Sequence, residues 1–93
     1  RVDITEPQAF KAYASSNAEA LKKFGAKFLV RAGTFSAVEG SARSRNTIVE
    51  FPSYQNALDC WNSSEYQAAR SLRNNAAEMD LVIIEGYDGP QLA

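Results

Sequence analysis

The 93-residue chain has 45% apolar and 23% charged residues, which are the proportions of one globular domain, so we predict a single domain over residues 1–93. Its net charge of −1 argues against a nucleic-acid-binding protein, whose affinity depends on neutralising phosphates. The longest aliphatic run, Leu81 to Ile84, is far shorter than the roughly 20 residues of a membrane span, so no membrane partner is predicted.

The absence of histidine removes several kinds of chemistry. There is no His and only one cysteine, Cys60. Ser-His-Asp and Cys-His nucleophile systems and His-ligated haem are therefore excluded, as are disulfides within the chain and cysteine-rich zinc sites. We predict no metal and no cofactor, so any activity must depend on carboxylates, arginines, tyrosines and the reactivity of the substrate.

The chain begins with a strand and a helix. Residues 1–4 are typical of the end of a strand, and we expect its beginning to lie before Arg1. This end has no apolar stretch of the secretory type, which predicts a cytoplasmic protein. Thr5 as cap and Gln8 three residues later predict a helix over 5–24, which Gly25 ends.

Two strands and two helical segments follow. Residues 27–35 and 46–51 predict strands, joined as an antiparallel hairpin by a polar loop over 39–45. Ser53 predicts the start of a helix through Trp61. After a break at 62–63, the Ser64 and Gln67 spacing predicts a second capped segment.

The last strand is predicted over 79–86, which completes the order β-α-β-β-α-β. This order is that of an α+β, ferredoxin-like fold, in which a four-stranded antiparallel sheet carries both helices on one face.

Alternation along the strands divides the predicted sheet into two faces. The predicted helix-packed face carries Val2, Ile4, Phe28, Val30, Ala32, Thr47, Val49, Phe51, Val82 and Ile84. The predicted opposite face carries Arg1, Asp3, Leu29, Arg31, Gly33, Ile48, Glu50, Leu81, Ile83 and Glu85.

The opposite face is too apolar to leave in water, and a second copy of the chain is its simplest cover. A homodimer of this kind encloses Arg31, Glu50 and Glu85, which would form a pocket for an anionic or carbonyl-bearing ligand with Arg31 as its anchor. Alternatively these charges neutralise one another, with Arg31 and Glu50 as cross-strand partners.

Tyr66, Arg70 and Arg73 form a stripe on the last helix and, with Arg43 and Arg45, could bind an anion. The alternative is a solvated face on which Arg70 or Arg73 neutralises Glu78. Cys60, which no histidine can activate, is interpreted as a core residue.

Five segments that cover nearly the whole chain resemble the DUF1330 family, small bacterial proteins of the dimeric α/β-barrel superfamily. They are VDITEPQAFKAYA, KFLVRAGTFSAVEG, RNTIVEFPSYQNALDCW, SSEYQAARSLR and AAEMDLVIIEGYDGP. The resemblance implies a homodimer with the two sheets packed face to face. The positions that match the family pattern and are carried over as ligand-binding candidates are Arg31, Glu39, Glu50, Tyr66 and Arg70.

Two functions remain open. The first is a small-molecule-binding protein or cofactor-less enzyme in which Glu50 or Glu85 is the base, by analogy with other members of the superfamily. The second is a non-catalytic dimeric interaction module, whose charges only specify the association. The predicted open face carries no aromatic side chain on its central strands, which disfavours an RNA-recognition role.

Overall fold

The computed structural model describes residues 1–92 and has an α+β fold. The elements follow along the chain in the order β1 (Val2–Ile4), α1 (Pro7–Lys23), β2 (Lys27–Arg31), β3 (Thr47–Glu50), α2 (Tyr54–Asn62), α3 (Ser64–Ser71) and β4 (Ala77–Met79).

The start of α1 differs from the predicted capping box. Glu6 occupies the N-cap position, and no side chain caps the helix. The Thr5 hydroxyl instead donates to the Asn75 carbonyl at 3.4 Å, and the Thr5 and Glu6 amides both donate to the Ala76 carbonyl. The Thr5 amide, which the side chain of Gln8 was predicted to satisfy, therefore has a tertiary partner instead.

Gly25 follows the end of α1, as predicted. It has φ of +75°, the left-handed region where a Cβ is strained. A Cβ at this position would also lie 3.1 Å from the Pro52 ring, so a larger residue would meet both strain and a close contact.

The break between the last two helices is confirmed, but its cap is one residue earlier than predicted. Ser53 caps α2 by accepting from the Asn56 amide at 3.0 Å, as predicted. Ser63, not Ser64, caps α3 by accepting from the Tyr66 amide at 3.1 Å.

The strands are shorter than predicted and form two antiparallel pairs, β1 with β4 and β2 with β3, instead of one continuous sheet. β2 ends at Arg31 because Ala32 turns into positive φ, at 51°. β4 ends at Met79, and residues 80–86 are not part of a strand. One antiparallel bridge, between Val2 and Arg45, connects the two pairs.

An irregularity at Leu29 changes which side chains share a face of the β2–β3 pair. Phe28 lies opposite Val49, but Val30 lies opposite Ile48 and Arg31 opposite Thr47. Residues directly opposite one another lie on the same face, so the extra residue reverses the alternation after Leu29. The predicted placement of Arg31 and Val30 is therefore wrong.

We call the two faces inner and outer. The inner face carries Phe28, Arg31, Thr47 and Val49, and the outer face carries Lys27, Val30, Ile48 and Glu50. Arg45 lies opposite the buried Val2, so the two residues are on the same side of the backbone. Because side chains alternate along a strand, Thr47 and Val49 are on that side as well, which faces the helices.

In the segment after β4, the residues predicted to face the helices and those predicted to face away are exchanged. Met79 lies opposite Val2, so Leu81 and Ile83 fall on the inner side by alternation. The exposures agree, because Val82 and Ile84 are 79% and 82% exposed while Leu81 is 43% exposed.

The buried core is small and lies between helices. Its cluster consists of Tyr13 and Ala20 of α1, Cys60 of α2, and Tyr66 and Ala69 of α3. The burial of Cys60 agrees with its predicted core role, and burial raises the pKa of its thiol. Within residues 1–92, no helix combines the length and apolarity that crossing a membrane requires.

The strands stand apart from this core. The radius of gyration is 14.4 Å, against about 12 Å for a typical compact domain of this length. Phe28, Leu29 and Ile48 are accordingly 44%, 52% and 56% exposed. A wide trough therefore separates the helices from the inner face.

Candidate functional site

The trough is a concavity of about 1510 Å³ between the helices, the β2–β3 pair and the segment after β4. Its helical wall includes Phe10, Tyr13, Trp61 and Tyr66. The opposite wall includes the inner-face residues together with Leu81 and Ile83. A mainly apolar concavity with a few polar groups is the usual form of a small-molecule site.

Two tyrosines supply the buried polar group of the helical wall. The Tyr13 and Tyr66 hydroxyl oxygens are 2.6 Å apart, and the two residues are 3% and 5% exposed. Their rings meet edge to face, with centroids 6.2 Å apart. Since one hydroxyl donates to the other, the accepting hydroxyl still has its own proton to donate.

The Tyr66 phenol is held in its neutral form. Burial is the main cause that raises its pKa above the ordinary phenol value; the adjacent Tyr13 adds to this effect and Arg73 opposes it. A neutral phenol can donate a hydrogen bond to a ligand oxygen.

Four arginines lie against aromatic rings. The guanidinium carbon of Arg31 lies 4.6 Å from the ring centroid of Phe28, and that of Arg45 lies 5.9 Å from the ring centroid of Phe10. On α3 and just after it, the distances are 5.2 Å from Arg70 to Trp61 and 5.0 Å from Arg73 to Tyr13. Within residues 1–92 none of the four pairs with a carboxylate, whereas Arg1 and Arg43 do. Stacked guanidinium groups without acid partners can bind an anion.

Arg73 carries a further unsatisfied group. Its Nε is buried and has no hydrogen-bond partner within the part of the chain that the structure describes. The predicted alternative, in which Arg70 or Arg73 neutralises Glu78, is wrong because Glu78 pairs with Arg43 at 3.3 Å.

Arg43 is structural and does not belong to an anion site. Its Nη1 lies 2.9 Å from Asp3, its Nε lies 2.8 Å from Asp80, and the Ser44 amide donates to Asp3 at 2.8 Å. These contacts fasten residues 43–45 across β1 and the end of β4. They thereby hold Arg45 at the edge of the trough.

The predicted site residues divide into two groups. Arg31, Tyr66 and Glu85 line the trough, and Glu50 borders it although its position is on the outer face. Glu39 and Arg70 do not: Glu39 is exposed between β2 and β3, and Arg70 is exposed on α3, where it also donates to Gln67 at 3.3 Å.

The register separates Arg31 from Glu50. Glu50 lies opposite Lys27 and Arg31 lies opposite Thr47, so the predicted cross-strand pair of Arg31 and Glu50 is wrong. Glu50 and Glu85 are both exposed, so a single chain does not supply the buried setting that favours a catalytic base.

Sequence reasoning missed Tyr13 and placed Arg45 in a different cluster. The helical spacing of Tyr13 marks it only as a core residue. The available signal was that a buried tyrosine hydroxyl needs a partner, but nothing local indicates that the partner is Tyr66, 53 residues away.

Acid is expected to weaken the Arg43 network. The Ser44 amide above all, assisted by Arg43, holds the pKa of Asp3 below its ordinary value, and Arg43 followed by Arg1 does the same for Asp80. A lowered folded-state pKa stabilises the protein above the unfolded-state value near 3.8, and this stability is lost as the pH falls through the folded pKa.

We therefore expect the free energy of unfolding to decline below about pH 4. Urea unfolding measured from about pH 7 to about pH 2.5 tests this, with Arg43→Met as the variant and Arg70→Met as its matched control. Arg43→Met should lose part of the acid dependence and Arg70→Met should retain it. Equal slopes in both variants would contradict the role of the network.

Comparison with known proteins gives a family. A search of curated proteins finds no match to this chain. The family model described as "Domain of unknown function (DUF1330)" matches residues 1–87, which is nearly the whole chain and confirms the resemblance seen in the sequence. The protein belongs to the DUF1330 family.

Proposed function

We propose that this protein binds a small anionic or carbonyl-bearing molecule in the trough, as a homodimer and without a cofactor. The observation that carries the proposal is the buried pair of Tyr13 and Tyr66 hydroxyls, 2.6 Å apart on the wall of the trough. A buried donor beside an apolar concavity is suited to an acceptor oxygen of a ligand.

Charge supports the same ligand class. Arg31 and Arg45 line the trough, stack on Phe28 and Phe10, and have no carboxylate partner within residues 1–92. A carboxylate or enolate would supply the missing negative charge, and an apolar body would lie against the aromatic wall.

An enzymatic form of this function needs a base. Glu85 falls on the inner side with Arg31 by alternation from Met79, whereas Glu50 falls on the outer face. Glu85 is therefore the better placed of the two candidates to remove a proton next to a ligand carbonyl, with the phenols and arginines stabilising the enolate.

The homodimer is supported by the outer face. This face carries the apolar side chains Val30 and Ile48, continued by Val82 and Ile84 after β4, with exposures between 39% and 82%. Exposed apolar side chains on one side of a small protein favour association, and a two-fold axis covers the same residues on both copies.

The proposal includes a ferredoxin-like sheet and a dimeric α/β barrel. The bridge between Val2 of β1 and Arg45, which precedes β3, supports the spatial order β2-β3-β1-β4 for the two strand pairs. This is the strand order of a ferredoxin-like sheet with the helices on one side, and two such sheets packed by their outer faces would make a dimeric α/β barrel.

Phenylpyruvate is the probe that tests ligand binding, because it has a ring, a ketone and a carboxylate. We expect Arg31→Met to weaken its binding by about tenfold or more, since a charge-assisted contact is lost. Tyr66→Phe should weaken it by roughly threefold to tenfold through one lost hydrogen bond. Isothermal titration calorimetry measures both effects.

Two controls make the result specific. Tyr54 also lines the trough but is 43% exposed, so Tyr54→Phe should leave the affinity unchanged. Binding of 3-phenylpropionate, which lacks the ketone, should respond to Arg31→Met but not to Tyr66→Phe. Equal affinity of the wild type and Arg31→Met for phenylpyruvate would count against the proposal.

A further inference from the structure

Two arginines of the trough are diagonal neighbours on the inner side of the sheet. Arg31 lies opposite Thr47, and Arg45 precedes Thr47 by two residues. The pairing continues past β2 towards Arg45, because the Ala32 amide donates to the Asn46 carbonyl at 3.1 Å. Residues two apart along a strand share a face, and diagonal neighbours on one face of an antiparallel pair are about 7–8 Å apart. Arg31 and Arg45 therefore place two positive charges side by side in the trough.

The two guanidinium groups are supported by different aromatic rings. Arg31 stacks on Phe28 of its own strand, at 4.6 Å, whereas Arg45 reaches Phe10 of α1, at 5.9 Å. The first ring belongs to the inner face and the second to the helical wall. The two charges are thus held at two separate places along the lining of the trough.

Neither charge is neutralised by an acid of the chain. Within residues 1–92, neither Arg31 nor Arg45 forms an ion pair, and the three acids beside β1 and β4 are bound by Arg43 instead. Neighbouring like charges on one face of a sheet repel each other. An anion on each guanidinium group would remove this repulsion.

Thr47 adds a neutral donor beside the two charges. It lines the trough directly opposite Arg31. Its Oγ1 accepts a hydrogen bond from the Ala32 amide at 3.2 Å, which fixes the position of the hydroxyl. A hydroxyl that accepts in this way still has its own proton to donate to a ligand oxygen.

We infer that the ligand of the trough is a dicarboxylate, with one carboxylate bound by Arg31, the other by Arg45, and an apolar body against the aromatic wall. Each planar guanidinium group matches one carboxylate, and the spacing of the two arginines suits two separate anionic groups better than one. The inference rests on the proposed function and narrows its ligand class from an anion to a dianion.

Calorimetry with 2-benzylsuccinate and 3-phenylpropionate tests this inference, because the two probes differ by one carboxymethyl group. At about pH 7.5, where both carboxylates are ionised, the wild type should bind 2-benzylsuccinate about tenfold or more tightly than 3-phenylpropionate. Arg45→Met should weaken the binding of 2-benzylsuccinate by about tenfold and leave that of 3-phenylpropionate unchanged. Retained binding of 3-phenylpropionate also shows that the variant is folded.

Lys22 provides the matched control. It lines the trough from the last turn of α1, so Lys22→Met removes a positive charge away from the inner face and should leave the preference for 2-benzylsuccinate unchanged. Phenyl phosphate, which carries its charge on a single group, should bind more weakly than 2-benzylsuccinate.

The outcomes separate the inference from the proposed function. Equal affinity of the wild type for 2-benzylsuccinate and 3-phenylpropionate would overturn the dicarboxylate inference alone, as would tighter binding of phenyl phosphate than of 2-benzylsuccinate. If none of these probes binds and phenylpyruvate does not bind either, the inference and the proposed function both fail.

Discussion

Replacing Ile48 with Asp is expected to weaken the homodimer by at least about 100-fold, because a two-fold interface would bury the new charge twice without a partner. Ile48 lies on the outer face and is 56% exposed in the single chain, so the substitution should leave the folded protomer intact. Sedimentation equilibrium measures the dissociation constant directly.

Val38 provides the matched control for this experiment. It lies outside the strands and is 94% exposed, so Val38→Asp adds the same charge without touching the outer face. We expect this variant to associate like the wild type. A wild-type protein that stays monomeric, or an Ile48→Asp protein that dimerises normally, would disprove the proposed interface.

Removing one hydroxyl of the tyrosine pair should destabilise the protein by more than half of the loss that removing both hydroxyls causes. Tyr13→Phe or Tyr66→Phe alone leaves the other hydroxyl buried without its partner at 2.6 Å, which is expected to destabilise the protein by about 1–3 kcal/mol. The double variant removes donor and acceptor together and should be less destabilised than the sum of the single variants.

Urea unfolding of the wild type, the two single variants and the double variant gives this coupling as a double-mutant cycle. Tyr87 is the matched control, because its hydroxyl donates to the nearby Pro90 carbonyl and the residue is 71% exposed. Tyr87→Phe should change stability by less than about 0.5 kcal/mol. Additive losses at Tyr13 and Tyr66 would show that the two hydroxyls do not depend on each other.

The elements with local signals could be predicted from the sequence. Ser53 as a cap, Gly25 after the first helix and the break at 62–63 each depend on residues within a few positions, and the structure has all three. The predicted cap at Thr5 was wrong because Asn75 and Ala76, distant in sequence, take its hydrogen bonds.

The face of the β2–β3 pair on which each side chain lies could not be predicted. Alternation from an assumed register put Arg31 on the exposed face with Glu50, but the irregularity at Leu29 turns Arg31 to the inner face. One added residue reverses every side chain that follows it, and no residue type at Leu29 signals the change.

The sequence by itself determined the family, the α+β class, the helices and the chemistry left to a protein without histidine, because these follow from composition and short-range spacing. Only the tertiary structure decided that Tyr13 meets Tyr66, that Arg43 is held by acids and that Arg31 lies inside the trough. These contacts join residues far apart in the chain, and their partners depend on strand register and helix packing, which local patterns do not specify.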